Sequence, residues 1–131
     1  MADLAWGTSS AKTETTTASA KAHNNLAVTL IAEAETAAAD RRKALLQEAR
    51  THAGEATVLY PNYNDGFLTI ALSCARSGDL DCAAAALERA RAIQPGSRVL
   101  QANVKYLSQL YLQRAVQEAG NGSARNQVIA S

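Results

Sequence analysis

One stretch of this chain, residues 64–97, has the sequence pattern of two helices joined by a tight turn. It reads NDGFLTIALSCARSGDLDCAAAALERARAIQPGS. The positions at which the two helices would touch hold small residues, namely Ala71, Ala83 and Ala90. Small residues let antiparallel helices approach closely, and a turn glycine, Gly78, and a helix-ending proline, Pro95, lie where such a hairpin needs them. One hairpin cannot bury both of its faces, so the pattern predicts further helices on either side.

Composition agrees with closely packed helices. The chain has 131 residues and is 47% hydrophobic, yet it contains only one Trp, one Phe and four Tyr. Alanine makes up the largest share of the apolar residues, and alanine favours the helix more than any other residue does. The length fits one domain with a modest core. The sequence therefore predicts an all-α domain whose helices pack at short distance.

The segment before this hairpin carries the same pattern in divided form. The first-helix pattern returns in AKAHNNLAVTL from Ala20, and the second-helix pattern returns at four residues, Ala49, Ala53, Ala56 and Pro61. Extra residues separate the two halves, in and around AEAETAAADRRK. We expect a longer hairpin, with Asp40 or Thr36 capping its second helix and the basic run 41–43 at its solvated tip. One continuous helix is the alternative, because nothing in AEAETAAAD breaks a helix.

The two ends of the chain are predicted to differ from its centre. Residues 1–19 are rich in Thr, Ser and Ala without helical periodicity, which favours a flexible tail or connector. Trp6 in that tail is either an exposed residue or an anchor that docks on the first helix. A third helix is predicted from Ser97, with an apolar stripe at Val99 or Leu100, Val104, Leu107, Tyr111 and Val116. Residues 120–131 are predicted to form a second flexible tail.

The pattern of residues 64–97 resembles a tetratricopeptide repeat (TPR). Nine positions hold the residue types of that repeat, namely Phe67, Ile70, Ala71, Gly78, Leu80, Ala83, Leu87, Ala90 and Pro95. The resemblance extends over residues 20–119, as one clean repeat, one repeat split by an insertion and one half-repeat that serves as a cap. It implies a TPR-like solenoid of antiparallel helix-turn-helix units, with about two repeats plus a capping helix.

Members of the TPR family mostly bind proteins or peptides in a groove lined by the first helix of each repeat. The resemblance places these residues in the groove: Lys21, Asn24, Val28, Ile31, Asp65, Leu68, Leu72 and Arg76, with Val99, Ala102 and Tyr106 on the cap. The subfamily that grips C-terminal carboxylates is not matched, because Thr69 stands where its second Asn belongs. The apolar groove residues Val28, Leu68 and Leu72 suit a helix or extended segment held mainly by burial.

A second resemblance concerns the start of the chain. Trp6 followed by SAKAHNNLA is similar to the place where membrane protein O-mannosyltransferases and related polytopic glycosyltransferases enter a luminal array of these repeats. The chain lacks a spanning helix, an acidic metal-binding pair and any glycosyltransferase motif. This resemblance therefore implies the excised repeat region of such an enzyme.

Charge and hydropathy exclude two classes of partner. Thirteen Lys and Arg are interleaved with twelve Asp and Glu, for a formal net charge of +1, so no nucleic acid partner is expected. No apolar run approaches the roughly 20 residues that cross a bilayer, so direct membrane insertion of this segment is not expected.

No residue set predicts catalysis. His23 and His52 are far apart in the repeat scheme and have no Cys or acidic partner at ligand spacing, so we expect packed helix residues rather than metal ligands. Asp79 and Asp81 are better explained as a helix cap than as a catalytic pair. No serine adjoins a base, and the glycines form no phosphate-binding pattern. The sequence therefore predicts no enzyme activity, no metal and no cofactor.

The two cysteines flank the turn of the clean hairpin. Cys74 falls in the last turn of the first helix and Cys82 in the first turn of the second. They can form a disulfide only if their Cα atoms come within about 7 Å, and the repeat scheme makes that geometry marginal. Reduced, buried cysteines are the favoured interpretation, with the bridge as the alternative.

Together these observations predict a non-catalytic protein-interaction or assembly module that binds a protein, peptide or helix in the groove. A structural subunit of a larger complex or homo-oligomer is one alternative, and the excised region of a membrane glycosyltransferase is another. A cytoplasmic location is favoured for the chain as it stands, and a luminal one if it belongs to a membrane protein.

Overall fold

A computed structural model of the protein describes the backbone of residues 2–130 and the side chains of residues 14–121. The described backbone forms five helices and no strand: α1 Ala2–Ala34, α2 Ala39–Leu59, α3 Asn64–Arg76, α4 Leu80–Ile93 and α5 Arg98–Ala130. The predicted all-α class is confirmed. Within the described part of the chain, none of the helices combines the length and apolar character that crossing a bilayer requires.

Helices α3 and α4 form the hairpin that the sequence predicts over residues 64–97. Gly78 has φ +85° in the turn, a left-handed conformation that glycine adopts without steric cost. Asp79 is the N-cap of α4, and its carboxylate accepts a hydrogen bond from the backbone N–H of Cys82 at 3.1 Å. The helix ends at Ile93, two residues before Pro95. Local sequence thus determines both boundaries of this hairpin.

Helices α1 and α2 form the longer hairpin. Helix α1 ends at Ala34 and α2 begins at Ala39, so the alternative of one continuous helix is wrong. The predicted caps are also wrong, because the N-cap residue is Ala38 and no side chain caps the helix. Asp40 lies inside the first turn of α2 instead, where its charge interacts favourably with the helix dipole.

The buried residues form two clusters. One lies between α1 and α2, and the other joins α3, α4 and α5. Alanines with at most 1% exposure lie at these contacts, namely Ala27, Ala49, Ala53, Ala83 and Ala90. Ile70 of α3 packs against both clusters, and α3 also contacts α1, α2 and α5. Helix α3 therefore joins the two halves of the core.

Helix α5 packs through part of the predicted stripe, which is confirmed at Leu100, Leu107 and Tyr111. The residues that face the core are Leu100, Leu107, Leu110 and Tyr111. Val104 and Val116 are 45% and 62% exposed, so the prediction is wrong at these two positions. The Tyr111 hydroxyl donates to Asp81 Oδ1 at 2.8 Å. This hydrogen bond is the largest of the influences that raise the pKa of the Tyr111 phenol.

Both end segments continue helices. The backbone is helical from Ala2 and up to Ala130, where irregular tails were predicted over residues 1–19 and 120–131. Neither segment contains a proline, the residue that stops a helix most strongly. The Trp6 side chain, expected as an anchor or an exposed residue, lies outside the described side chains.

The close approach of α3 and α4 can be tested at Ala83. Ala83→Leu should lower the free energy of unfolding by about 1 to 3 kcal/mol, because Ala83 is 1% exposed and has no space for added carbon atoms. Ala85→Leu, at an exposed position of the same helix, is the matched control and should change stability by at most about 0.5 kcal/mol. Chemical denaturation followed by circular dichroism measures both, and equal stability of the two variants would contradict this packing.

Candidate functional site

The predicted groove residues fall into three groups in the structure. Lys21, Val28, Asp65, Val99 and Ala102 are exposed, and Leu72, Arg76 and Tyr106 are half-buried. Asn24, Ile31 and Leu68 are buried, with 6%, 5% and 8% exposure. Ile31 packs in the α1–α2 cluster and Leu68 in the α3–α4–α5 cluster. These two residues belong to the core, so the expectation that the whole set lines an open groove is not met.

Contacts of the Arg76 side chain fill the middle of the predicted groove. Its guanidinium forms an ion pair with Glu35 at 3.2 Å and lies 5.4 Å from the centroid of the Tyr106 ring. The turn after α1, the end of α3 and the first third of α5 are thereby linked through one side chain. Less of the predicted groove is open to a partner than the repeat scheme implies.

A cavity of about 500 Å³ lies between the first half of α2 and the C-terminal end of α3. Four basic side chains line it: Arg42, Lys43, Arg50 and Arg76. Its apolar lining comes from Ala37, Ala39 and Leu46. We call this cavity the basic cleft. Three of its four cations come from α2 and only one, Arg76, belongs to the predicted groove set.

The cations of the basic cleft differ in their partners. Arg50 is paired with Asp79 at 3.4 Å, and Arg76 is paired with Glu35. Among the described side chains, neither Arg42 nor Lys43 takes part in an ion pair. Both lie near the N-terminus of α2, where positive charge opposes the helix dipole. An anionic group in the cleft would therefore interact favourably with these two side chains and with the helix end.

Cys74 and Cys82 are joined by a disulfide, with their Cα atoms 5.8 Å apart. The favoured interpretation of reduced cysteines is wrong for this structure. The pairing becomes feasible because the tight turn at Gly78 brings the last turn of α3 against the first turn of α4. Cys74 is fully buried, so the bridge lies at the edge of the core.

His23 and His52, expected to lie far apart, are neighbours. Their Nδ1 atoms are 3.0 Å apart, and their rings stack with centroids 5.2 Å apart. Glu55 Oε2 lies 3.1 Å from His23 Nδ1 and 3.8 Å from His52 Nδ1. His23 lies 11 residues before the end of α1 and His52 lies 13 residues after the start of α2, so antiparallel pairing places them close together. The sequence interpretation missed that His52 and Glu55 have the i, i+3 spacing that puts two side chains on one helix face.

Comparisons with protein-family models, with curated proteins and with solved structures found no match. The resemblance to tetratricopeptide repeats therefore rests on the sequence of residues 20–119 alone.

The distinction between core and open positions of the predicted groove can be tested directly. Leu68→Lys should lower stability by roughly 3 kcal/mol or more, because it places an unpaired charge at a buried position. Val28→Lys, on α1 and 49% exposed, should change stability by no more than about 0.5 kcal/mol. Thermal melting compares the two, and a stable Leu68→Lys protein would show that α3 exposes this face.

The disulfide should contribute about 2 to 3 kcal/mol, because it closes the short loop between residues 74 and 82 in the unfolded chain. Replacing both cysteines by alanine should remove this contribution. Adding a reductant should destabilise the wild-type protein to a similar degree and leave the double-alanine variant unchanged. Two free thiols in air-oxidised protein, measured by intact mass after alkylation, would be inconsistent with the bond.

Proposed function

We propose that this chain is a non-catalytic protein-interaction module, built as a TPR-like stack of helical hairpins, that binds an acidic peptide segment in the basic cleft. The helix order supports the stack. The hairpin α1–α2 precedes the hairpin α3–α4, α2 packs on α3, and the first helices are in contact as α1 with α3 and α3 with α5. Stacks of this kind present extended surfaces to partners.

The observation that carries the proposal is the set of four basic side chains around one cavity in a chain whose formal net charge is only +1. Two of these cations, Arg42 and Lys43, have their charge uncompensated by an ion pair within the described part of the chain. Carboxylates of a peptide would form charge-assisted hydrogen bonds with them. Ala37 and Ala39, which are half-buried and exposed, offer apolar contact to a side chain between those carboxylates.

The cleft favours an acidic peptide over nucleic acid. At the cleft, Glu35 is paired with Arg76 and Asp79 is paired with Arg50. Negative charge therefore lies beside two of the four cations. A continuous phosphate backbone needs a longer positively charged surface than this one. The cleft also suits a peptide better than the groove implied by the repeat resemblance does, because Leu68 and Ile31 of that groove are buried.

A second candidate is the luminal repeat region of a membrane glycosyltransferase. The bond between Cys74 and Cys82 favours it, because disulfides persist in oxidising compartments and are rare in the cytosol. In that setting the cleft would engage a luminal protein segment. Alkylating free thiols in cell extracts before purification, followed by intact mass, distinguishes an oxidising from a reducing location.

Binding to the cleft can be measured by fluorescence anisotropy with a labelled peptide that has Leu between two pairs of Glu. The same peptide with Gln in place of Glu is the uncharged reference. We expect saturable binding of the acidic peptide that weakens as salt is raised, because exposed charges are screened. The double variant Arg42→Glu, Lys43→Glu should bind about 10-fold or more weakly, since two exposed ion pairs of up to about 1 kcal/mol each are replaced by repulsion between like charges.

The matched control is Arg41→Glu, Arg98→Glu. It changes the net charge by the same amount, and neither residue lines the cleft; Arg41 lies beside Glu33, at 4.0 Å. This variant should bind the acidic peptide within about 2-fold of wild type. Equal weakening in both double variants would mean that the whole-molecule charge, not the cleft, attracts the peptide. Equal binding of the Gln peptide would also reject the proposal.

A further inference from the structure

At the opposite end of the α1–α2 hairpin from its turn, two histidines and one glutamate bring ligand atoms together. Nδ1 of His23, Nδ1 of His52 and Oε2 of Glu55 form a triangle with sides of 3.0, 3.1 and 3.8 Å. His23 comes from α1, and the other two residues come from one face of α2. We infer that these three side chains form a binding site for a divalent transition-metal ion, with Zn²⁺ as its occupant.

The dimensions of the triangle fit a tetrahedral ion. With bonds of about 2.0 to 2.1 Å, Zn²⁺ holds neighbouring ligand atoms about 3.3 to 3.4 Å apart. This spacing lies within the range of the three measured sides. A point about 2 Å from all three atoms therefore exists beside the plane of the triangle. The ion would be held with little movement of the side chains.

The chemistry of the three ligands selects the class of ion. Imidazole nitrogen with one carboxylate suits Zn²⁺ and its neighbours in the first transition row, whereas Mg²⁺ and Ca²⁺ prefer oxygen ligands. When they are deprotonated, the two imidazole nitrogens and the carboxylate oxygen each offer a lone pair. One cation between them can accept all three. Three protein ligands leave a fourth position for water or another ligand.

A second carboxylate and an open cavity lie beside the three proposed ligands. Coordination through Nδ1 leaves Nε2–H of His52 as a donor, and Glu48 Oε1 stands 4.0 Å from that nitrogen. A carboxylate that accepts this hydrogen bond orients a metal-bound imidazole, and Glu48 would have to move about 1 Å closer to accept it. A cavity of about 630 Å³ borders His23 and Glu55. Gly54 lines the same cavity and adds no side chain, so the fourth position can be reached from solvent.

Binding of the ion would tie α1 to α2 near Ser19, a half-buried residue of α1. The α1–α2 core cluster extends from Ala27 to Ala53, so His23 and Glu55 lie just beyond its end. A ligand that binds only the folded hairpin raises its stability. The inference is independent of the proposed function, because the basic cleft lies at the other end of the hairpin.

The test is a Zn²⁺ titration of tag-free protein, stripped with a chelator and monitored by competition with a chromogenic zinc chelator. We expect one Zn²⁺ per chain and a higher melting temperature in its presence, with no effect of Mg²⁺. His23→Gln and His52→Gln should each abolish both effects, and Glu55→Gln should weaken binding. The matched control Glu33→Gln, on the exposed side of α1, should bind as wild type does.

Two further measurements keep the outcome unambiguous. Far-ultraviolet circular dichroism of each apo variant shows that loss of binding is not loss of folding. Co²⁺ should give the visible spectrum of a tetrahedral nitrogen and oxygen site without a thiolate charge-transfer band, and the Cys74→Ser, Cys82→Ser variant should retain binding. Absence of saturable Zn²⁺ binding, or unchanged binding in the folded His52→Gln variant, would overturn the inference.

Discussion

Helix contact through alanine is the constraint on which the rest of the structure depends. Alanines at 49 and 53 on α2 and at 83 and 90 on α4 have at most 1% exposure, so backbone approaches backbone at both hairpins. Few large side chains are then needed to fill the core, which agrees with a chain that has a single Phe. Ile70 joins the two halves because it packs against both clusters.

The sequence predicts local structure better than it predicts which residues of different helices are in contact. The α3–α4 hairpin, its turn glycine and the cap at Asp79 follow from spacing, because each depends on residues a few positions apart. The extent of α1 and α5 does not follow from spacing, since periodicity cannot show where a helix without a strong stop signal ends. The burial of Leu68 depends on how α5 packs over α3 and α4, which no local pattern contains.

The same distinction applies to the candidate sites. His52 and Glu55 share a helix face by local spacing, but His23 joins them only because the α1–α2 turn sets the antiparallel register. Arg42 and Lys43 were expected at a solvated tip, and the C-terminal end of α3 turns that tip into one wall of a cleft. The hairpin thus carries positive charge at its turn and two imidazole rings beside a carboxylate at its open end.

The bond between Cys74 and Cys82 has a consequence for the chain before it folds. The covalent ring encloses the turn glycine and the capping aspartate, so the ends of α3 and α4 remain adjacent even when every other contact is absent. Starting a helix is the costly step in its formation, and holding the two ends together lowers the entropy that must be lost there. In the oxidised chain, closing the α3–α4 turn therefore costs less conformational entropy than closing the α1–α2 turn, which has no crosslink among the described residues.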